Sequence, residues 1–410
     1  MAENDSKEPL LESSSVDKKV DTVVPFLLLV VTGCGMCFSG LGNVTLKFNA
    51  TSLIYGLFWM ALIAVTYWLN AKTIVEACEL KGQHSYSKLI LSLWGRKRGL
   101  TVQILMALNN IIILTYLQQR IAANAFKVFH PPMIEYIEEQ TAIDIFYYVA
   151  IANIALILLA LQNKYERIKN FAILSVLIWI YLFVGVIAEA WNYTKRGGTN
   201  IQQGQSRVTF FPEEFAWITT IGITALFTSY FQIVPYVYGN IRDKAVMNGV
   251  LKKSFVALLV LITSVGIYFG LYHNVELNLV RYSGLTIIGS CVAIINVWPT
   301  RELIVQILDE HARSKSNTRD RIITVLLLSV TLLLSIGVNS FDFMKVFLGI
   351  GVLFTSFLGF VFPGWVGLSI SEESGKTKAI LLLVWNALLG AAVFTAGIFM
   401  MLEYDHTPVS

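Results

Sequence analysis

The chain has 410 residues, of which 55% are hydrophobic and 14% are charged, and its mean hydropathy is +0.64. Soluble domains carry about 25% charged residues, so this composition excludes a soluble protein and predicts one polytopic membrane domain. The net charge of +4 is less informative about orientation in the membrane than the distribution of charges among the loops. No nucleic-acid partner is expected.

Residues 1–21 form a polar, charged segment that we expect to be a disordered cytoplasmic tail. No signal-peptide cleavage pattern follows the tail, so it is predicted to be retained. The motif Glu8-Pro9-Leu10-Leu11 resembles an acidic dileucine sorting signal, although the spacing of its acidic residue is unusual. The motif leaves a vacuolar or lysosomal membrane open beside the plasma membrane.

Eleven apolar segments follow the tail, each close to the length of about 20 residues that a membrane-spanning helix needs. Together they predict a transmembrane domain over residues 22–403, followed by a short non-cytoplasmic tail over residues 404–410. The predicted spans are 24–47, 51–77, 100–128, 141–162, 168–191, 215–239, 250–273, 283–308, 321–338, 342–369 and 378–402.

Basic residues collect in the loops on one side of the predicted spans, as they do on the cytoplasmic side of membrane proteins. They include Lys81, Arg96, Lys97, Arg98, Lys164, Lys169, Lys244, Arg313 and Lys315. The amino terminus is therefore predicted to be cytoplasmic, and an odd number of spans places the carboxyl terminus outside the cell or in a lumen. Asn192 begins an Asn-Tyr-Thr sequon in the longest non-cytoplasmic loop and is a predicted glycosylation site.

The first span, Val24–Phe48, is interrupted by glycines at Thr32–Gly35 and again at Ser39–Asn43. Each glycine favours coil over helix by about 1 kcal/mol relative to alanine. A broken helix at membrane depth is tolerated only where it is buried in protein or lines a wet cavity, and such helices form the substrate sites of many secondary transporters. The alternative is a glycine-rich face packed closely against another helix.

The sixth span is also predicted to break, because Gly222–Tyr236 runs small and hydroxylic residues into Pro235. Proline removes a backbone donor and clashes with the turn before it. The first and sixth spans occupy matching positions if spans one to five and six to ten are inverted halves, and such a pair of interrupted helices points to a site at the membrane midplane. The pairing favours a transport site, with a proline kink without function as the alternative.

A zwitterionic substrate that leaves water needs several charge-complementary groups at once. Half-helix amino ends offer unpaired amides to a carboxylate, and freed carbonyls offer oxygen atoms to an ammonium group or a cation. We therefore place the substrate between the breaks of the first and sixth spans, with an aromatic residue of the third span covering the pocket. The predicted substrate-binding residues are Ser39, Gly40, Leu41, Gly42, Asn43, Tyr116, Leu226, Thr228, Ser229 and Tyr230.

Other polar groups in the spans have more than one interpretation. Asn109 and Asn110 lie deep in the third span, where buried polar groups are usually functional, but bonding between helices also explains them. Arg120 is either functional or an outer-end arginine that reaches the headgroups, and Arg301 indicates a gate or a phospholipid anchor. The eleventh span is expected to lie outside the transport core, so that Gly390→Val leaves substantial transport.

Enzyme motifs are missing from the sequence, which has no Gly-x-Ser-x-Gly elbow, no P-loop and no His/Glu zinc motif. The five histidines lie mostly in loops, and the four cysteines show no disulfide framework. Cys34 and Cys37 are three apart on one helical face, but no histidine or acidic residue is near them, so packing is preferred to a metal site. No catalytic residue, metal site or cofactor is therefore expected. Without a nucleotide-binding motif, transport has to be driven by a gradient.

Five motifs, in order and in the expected spans, resemble those of the amino acid/auxin permease family, which contains the sodium-coupled neutral amino acid transporters. They are Ser39–Gly42, Gly82–Leu89 with Gly95, Val234–Asn240, Trp298–Arg301 and Phe360–Pro363. The resemblance covers nearly everything from residue 24 to residue 402. It implies an all-α inverted-repeat transporter fold of five plus five spans with broken helices 1 and 6, here with an eleventh transmembrane helix.

The resemblance also implies a secondary active transporter that moves small amino acids by alternating access, coupled to sodium or protons. Sodium-coupled members carry an asparagine where this chain has Gly33, and the two family threonines of the eighth span fall at Ser290 and Val292. With Gly33 and Ser290 as the ion-binding candidates, proton coupling or exchange is predicted rather than strict sodium coupling. The protein is expected to be a monomer in contact with membrane lipid.

A membrane amino acid sensor with little flux is the main alternative function. A sensor is expected to carry a folded or motif-bearing cytoplasmic extension, whereas residues 1–21 form only a short tail, which favours transport. A transporter of another family on the same fold, carrying a nucleobase or a polyamine, is a further alternative. A cationic substrate would require carboxylates deep in the spans, and the predicted spans lack them.

Overall fold

The computed structural model describes residues 22–33, 53–129, 141–161, 165–195, 216–229, 232–241, 243–271, 278–308, 317–337 and 341–402. Within these ranges the chain is almost entirely helical and forms no β-strand. The apolar composition explains this preference, because a backbone surrounded by lipid has to satisfy its own polar groups, and a helix does so within one segment.

Each predicted span contains at least part of one described helix. The helices are α1 (Thr22–Gly33), α2 (Leu53–Lys81), α3 (Tyr86–Phe129), α4 (Thr141–Ala160), α5 (Tyr165–Lys195), α6 (Ala216–Phe227), α7 (Val234–Asn240), α8 (Met247–Leu271), α9 (Asn278–Leu308), α10 (Asn317–Gly337), α11 (Phe341–Thr355), α12 (Phe362–Ile370) and α13 (Lys376–Leu402). Six helical stretches are long and apolar enough to cross a membrane, namely those of α2, α3, α9, α10, α11 with α12, and α13. These six stretches support the prediction of an integral membrane protein. The count of eleven spans stays a prediction.

Helix α3 starts at Tyr86, before residue 100, where the third span was predicted to begin. Gly95 lies inside α3 with φ 75° and ψ 179°, a conformation that favours glycine, and the helix is kinked there. The residues before the kink, Tyr86–Trp94, form a separate helical arm. The ring of Trp94 packs edge-on against Phe362 of α12, with 4.6 Å between the ring centroids.

The break predicted in the sixth span is confirmed. Helix α6 ends at Phe227, and α7 begins at Val234 with Pro235 in its first turn. Thr228 and Ser229, which follow α6, are not helical. The chain therefore leaves the helix and re-enters it within one predicted span.

The tenth span contains an interruption that the sequence analysis did not predict. Between α11 and α12 the chain forms one π-helical segment, Ser356–Val361. Such a segment is usually a single widened turn inside a helix, and it is frequent at functional sites. Asn70 of α2 donates its side-chain amide to the carbonyl oxygen of Gly359 in this segment, at 2.8 Å.

The eleventh span is more tightly bound than expected. Helix α13 packs against α6, α11, α12 and the π-helical segment. Its Asn386 exchanges two amide hydrogen bonds with Asn70 of α2, at 3.0 and 2.9 Å between nitrogen and oxygen. A Cβ atom on Gly390 would lie 3.1 Å from the carbonyl oxygen of Ser356 and 3.1 Å from Val361 Cγ2. The expectation that Gly390 lies outside the core was therefore wrong, because a valine there would press against the tenth span.

Candidate functional site

The break between α6 and α7 lies in a buried place. Leu226 and Thr228 are fully buried, and Ser229 is 3% exposed. Two hydroxyl groups turn back onto the end of α6, since Thr228 Oγ1 donates to Thr224 O at 2.7 Å and Ser229 Oγ donates to Leu226 O at 2.7 Å. The Thr224 carbonyl also accepts from the backbone N–H of Thr228 at 3.0 Å. The last carbonyls of a helix otherwise lack partners within the helix, so the Ser229 bond to Leu226 helps α6 to end inside the protein.

Helix α2 holds the end of α6 from another side. The hydroxyl of Tyr67, a fully buried side chain, donates to the carbonyl oxygen of Ala225 at 2.7 Å. The Tyr67 ring lies 5.0 Å, between centroids, from the ring of Phe360 in the π-helical segment. One tyrosine thus fixes the end of α6 relative to the tenth span.

Helices α3 and α11 approach the break from a third side. A Cβ atom on Gly351 of α11 would lie 2.9 Å from Ile112 Cγ2 of α3 and 3.5 Å from Leu226 Cδ1 of α6. The glycine therefore lets the three helices approach closely. One turn along both α11 and α3, the hydroxyl of Thr355 donates to Asn109 Oδ1 at 3.3 Å.

Three buried donors on α3 and α6 have no hydrogen-bond partner among the described residues, namely Gln103 Nε2, Asn109 Nδ2 and Thr224 Oγ1. Asn109 is fully buried, and Thr224 is 2% exposed. A buried donor left unpaired costs about 1–3 kcal/mol. The sequence analysis left the role of Asn109 open and did not name Thr224, although this threonine lies in the hydroxylic stretch that signals the break.

Tyr116, the predicted cover of the pocket, is a buried residue of α3. It follows Asn109 by seven residues, which places it on the same face of the helix and about 10 Å further along the axis. The guanidinium carbon of Arg120 lies 5.6 Å from the centroid of the Tyr116 ring. Tyr116 therefore shares the face that carries Asn109, and its covering role stays a prediction.

Much of the predicted site lies outside the described residues. These residues are Ser39, Gly40, Leu41, Gly42, Asn43 and Tyr230. The described part of the first span ends with α1, whose last residue, Gly33, is buried. Of the predicted substrate-binding residues in the sixth span, Leu226, Thr228 and Ser229 lie together at the end of α6. How the first span faces them stays a prediction.

Ser290, one of the two ion-binding candidates, has its hydroxyl in use, because Ser290 Oγ donates to the carbonyl oxygen of Thr286 at 2.8 Å. The residue lines a largely apolar groove of about 360 Å³ between α3, α4 and α9, together with Ile121 and Tyr148. The described part of α1, which ends at Gly33, contributes no residue to the lining of this groove. Ion binding by Gly33 and Ser290 therefore stays a prediction.

The chain is tightly closed between the break and the end of the spans that is predicted to be cytoplasmic. Tyr86 of the helical arm, Tyr236 of α7 and Pro299 of α9 line a gap that has no room for a water molecule. The Tyr236 ring also packs against Trp298, with 5.4 Å between the ring centroids. Movement of a solute through this gap requires these side chains to separate.

The described residues offer few charges to a ligand. Arg301 of α9 is the one charged side chain that is buried within them. The same part of the chain contains no cluster of three histidine, cysteine or acidic residues that could hold a metal ion. Hydroxyl, amide and backbone groups around the break can therefore bind a molecule without net charge, such as a zwitterion.

Asn192, the predicted glycosylation site, was expected in a loop. In the structure it belongs to the last turns of α5, which continues to Lys195. The residues that follow, 196–215, lie outside the described ranges. Glycosylation of Asn192 stays a prediction.

Two solved structures with a similar fold are distant from this chain in sequence. MhsT in complex with L-phenylalanine has a TM-score of 0.60 at 14% identity, with 92% of this chain and 98% of that chain covered. A mutant of the Eremococcus coleocola manganese transporter has a TM-score of 0.55 at 14% identity, with 98% of this chain and 92% of that chain covered. These likenesses show a transporter fold and nothing about the substrate of this chain.

The sequence comparisons are more specific. Among curated proteins, no sequence is similar enough to count as a relative. The family model described as transmembrane amino acid transporter protein matches residues 48–403, which include every described residue after α1. The match therefore covers the break between α6 and α7 and all the helices that surround it.

Proposed function

Because the chain belongs to the transmembrane amino acid transporter family, we propose that it binds its amino acid at the break between α6 and α7 and carries it by alternating access. The protein is a membrane amino acid transporter. The proposal adds the place of binding and the way in which the site opens to one side of the membrane at a time.

The observation that carries the proposal is the non-helical backbone at Thr228 and Ser229, which is buried in the middle of an apolar segment. Irregular backbone at membrane depth is tolerated only where it is enclosed by protein or lines a cavity. The end of α6 receives a polar contact from Tyr67 of α2, which a simple kink does not require, and the polar pair of Asn109 and Thr355 lies on the neighbouring helices α3 and α11. These contacts support a binding site.

We place the ammonium group of the substrate at the carboxyl end of α6, since this end of a helix carries partial negative charge. The carboxylate then meets the backbone amides of Ser39–Asn43, where glycine lets the chain approach the ligand without an intervening Cβ. Tyr116 covers the ligand on the outer side. The closed side chains around Tyr236 support alternating access, because release on that side requires them to separate.

We further propose that transport is proton-coupled or proceeds by exchange, and is not strictly sodium-coupled. Gly33 offers no side-chain oxygen to a sodium ion. The hydroxyl of Ser290 donates to a backbone carbonyl and lines the groove between α3, α4 and α9. A sodium site made of side-chain oxygens from the first and eighth spans is therefore poorly supported.

The proposed topology has the amino terminus in the cytoplasm and the carboxyl terminus outside the cell or in a lumen. The charge of the loops supports this orientation, because basic residues avoid translocation. Protease protection of a tag at each end tests it, and protection of both tags on one side would contradict it. We expect the protein to work as a monomer in the plasma membrane or in a vacuolar or lysosomal membrane.

The test of function uses the full chain reconstituted in liposomes, with labelled amino acids and an imposed pH gradient. Uptake is expected, and it is expected to persist when choline replaces sodium. Gly40→Val and Gly42→Val are expected to abolish uptake, because each adds a side chain where the backbone meets the ligand. The matched control is Gly249→Val in α8, where no atom lies within 4 Å of an added Cβ.

Each part of the proposal can fail separately. Uptake that is lost in choline, with the pH gradient unchanged, would reject the coupling. Normal uptake by both Gly40→Val and Gly42→Val would reject the site, because the first span would then be only a packing face. Specific binding of an amino acid without flux would favour the sensor.

A further inference from the structure

Asn109 differs from three other buried asparagines. Asn70 and Asn386 donate their side-chain amides to each other, and Asn296 donates to the carbonyl oxygen of Val292 at 2.8 Å. Asn109 accepts a bond from Thr355, but within the described part of the chain its own amide donor has no partner, although the residue is fully buried. A buried donor without a partner is costly, so a chain that keeps one there gains from a partner that comes and goes.

The position of this donor relative to the break follows from the packing at Gly351. Gly351, Ile112 and Leu226 meet at one point, where α3, α11 and the end of α6 approach each other. Asn109 precedes Ile112 by three residues and Thr355 follows Gly351 by four, so the pair lies about 5 Å away from that point along the helix axes. In the antiparallel arrangement predicted for α3 and α6, this is the direction in which α6 continues from Leu226 into the break. The free amide of Asn109 therefore lies at the level of the break.

Thr355 gives Asn109 a fixed orientation. Its hydroxyl donates to Asn109 Oδ1 at 3.3 Å, which leaves the Nδ2 atom of the same amide group for another partner. Thr355 is also the last residue before the π-helical segment, whose Gly359 carbonyl is held by Asn70. The partner of Asn109 thus sits on a part of the tenth span that is itself anchored to α2.

From this arrangement we propose that Asn109 donates a hydrogen bond to the side chain of the transported amino acid, with Thr355 as its positioning residue. The proposal rests on the function proposed above, in which broken backbone binds the ammonium and carboxylate groups. The amide donor of Asn109 then remains available to bind the side chain of the substrate, which has to end in an acceptor, namely an amide or hydroxyl oxygen. The side chain is neutral, because the described residues at this level contain no buried charge to pair with a charged one.

The test compares substrates of similar shape that differ in one acceptor. Full chain in liposomes is assayed with glutamine against methionine and with threonine against valine. The wild type is expected to favour the acceptor-bearing member of each pair by about 10-fold or more in kcat/KM, since a site built around a hydrogen bond discriminates against an analogue that lacks it. Asn109→Leu is expected to reduce this preference to within about 2-fold, by slowing glutamine and threonine rather than methionine and valine.

Thr355→Val and Thr355→Ser test the positioning role. Thr355→Val is expected to lower the preference by about 3-fold or more, and Thr355→Ser, which keeps the hydroxyl, is expected to restore it. The matched control is Asn153→Leu, which removes a buried asparagine that accepts from Gln118 at 2.8 Å between α4 and α3. This variant is expected to change the amount of protein and to leave the preference unchanged.

The outcomes separate this inference from the proposed function. No uptake of any amino acid by the wild type would reject the proposed function itself. Uptake without preference, or an equal loss for both members of each pair in Asn109→Leu, would reject only the role of Asn109, because the residue would then be a packing group or a carboxylate ligand. If Asn109→Leu fails to fold, Thr355→Val decides, and an unchanged preference in that variant overturns the proposal.

Discussion

The sixth and tenth spans have a proline at the same place and respond to it differently. Pro235 and Pro363 both lie in the first turn of a second helical half, α7 or α12. In the sixth span the chain leaves the helix before the proline, whereas in the tenth it stays helical through one π-helical segment. Pro235 starts a helix and removes no needed donor, whereas Pro363 lies in a continuous helix and has no N–H for the carbonyl of Gly359, four residues before it.

Side chains satisfy the backbone before each proline. In the sixth span, Ser229 donates its hydroxyl to the Leu226 carbonyl and Tyr67 of α2 donates to the Ala225 carbonyl, so the end of α6 has partners where the helix stops. In the tenth span, the Gly359 carbonyl receives the amide of Asn70, which is also a residue of α2, and the chain stays helical. Helix α2 therefore supports both spans, and only the sixth leaves the helix. We regard the sixth span as the site and the tenth as its frame.

Loss of the frame is expected to have the largest effect. Asn70→Leu leaves the Gly359 carbonyl and both polar atoms of Asn386 without their partner, and is expected to lower the free energy of unfolding by about 3 kcal/mol. Thermal unfolding of the purified protein in detergent micelles measures this. The double variant with Asn386→Leu is expected to cost less than the sum of the two single variants, because it leaves fewer orphaned groups. Additive costs would show that the two asparagines do not act as a pair.

Crowding of the frame is expected to come second. Gly390→Val forces a side chain against Ser356 and Val361 and is expected to cost about 2 kcal/mol of stability, with a corresponding loss of transport. Gly249→Val, in open space, provides the comparison for the cost of valine itself. Equal thermal stability and equal uptake of the two variants would mean that α13 and the tenth span adjust to the added side chain without cost.

The contact that joins site and frame is expected to have a smaller effect. Tyr67→Phe removes only the hydroxyl that reaches Ala225 and keeps the ring against Phe360, so a cost of about 1.5 kcal/mol is expected. The initial rate of uptake is expected to fall more than the amount of correctly inserted protein, because the end of α6 becomes less firmly held. An uptake rate per inserted molecule equal to that of the wild type would show that the end of α6 needs no support from α2.

The smallest effect is expected from the site's own cap. Ser229→Ala removes the hydroxyl that binds the Leu226 carbonyl at the end of α6, at a cost of about 1 kcal/mol. Ser254→Ala removes a bond of the same kind, 2.8 Å to the Val250 carbonyl, inside the continuous helix α8. There the carbonyl keeps its partner in the helix, so about 0.5 kcal/mol or less is expected. Equal thermal stability of the two variants would contradict the capping role of Ser229.

The helices and the break in the sixth span could be predicted because both follow from residues close together in sequence. Apolar runs marked the spans, and the hydroxyls before Pro235 marked the place where α6 ends. The frame could not be predicted in this way. Asn70 and Asn386 are 316 positions apart, and no periodicity shows which polar residue of one helix reaches which residue of another.

The same distinction applies to Asn109. The sequence showed a polar residue deep in the third span and left two interpretations open. Its pairing with Thr355, 246 positions away, and the missing partner of its amide are properties of the packing alone. The first span is the opposite case, because its glycines gave a specific prediction that lies outside the described residues.

The helical arm before Gly95 has a consequence for the order in which the protein is made. About 270 residues separate Trp94 from Phe362, so at roughly 5–20 residues per second of synthesis the arm exists for roughly 13 to 54 s before its partner. Tyr86 and Trp94, whose rings pack against Phe362 in the finished protein, have no cover from α12 during that time. An amphipathic helix in this situation lies in the surface of the bilayer. We therefore expect the arm to rest on the membrane during biogenesis and to exchange lipid for α12 only when the tenth span has been inserted.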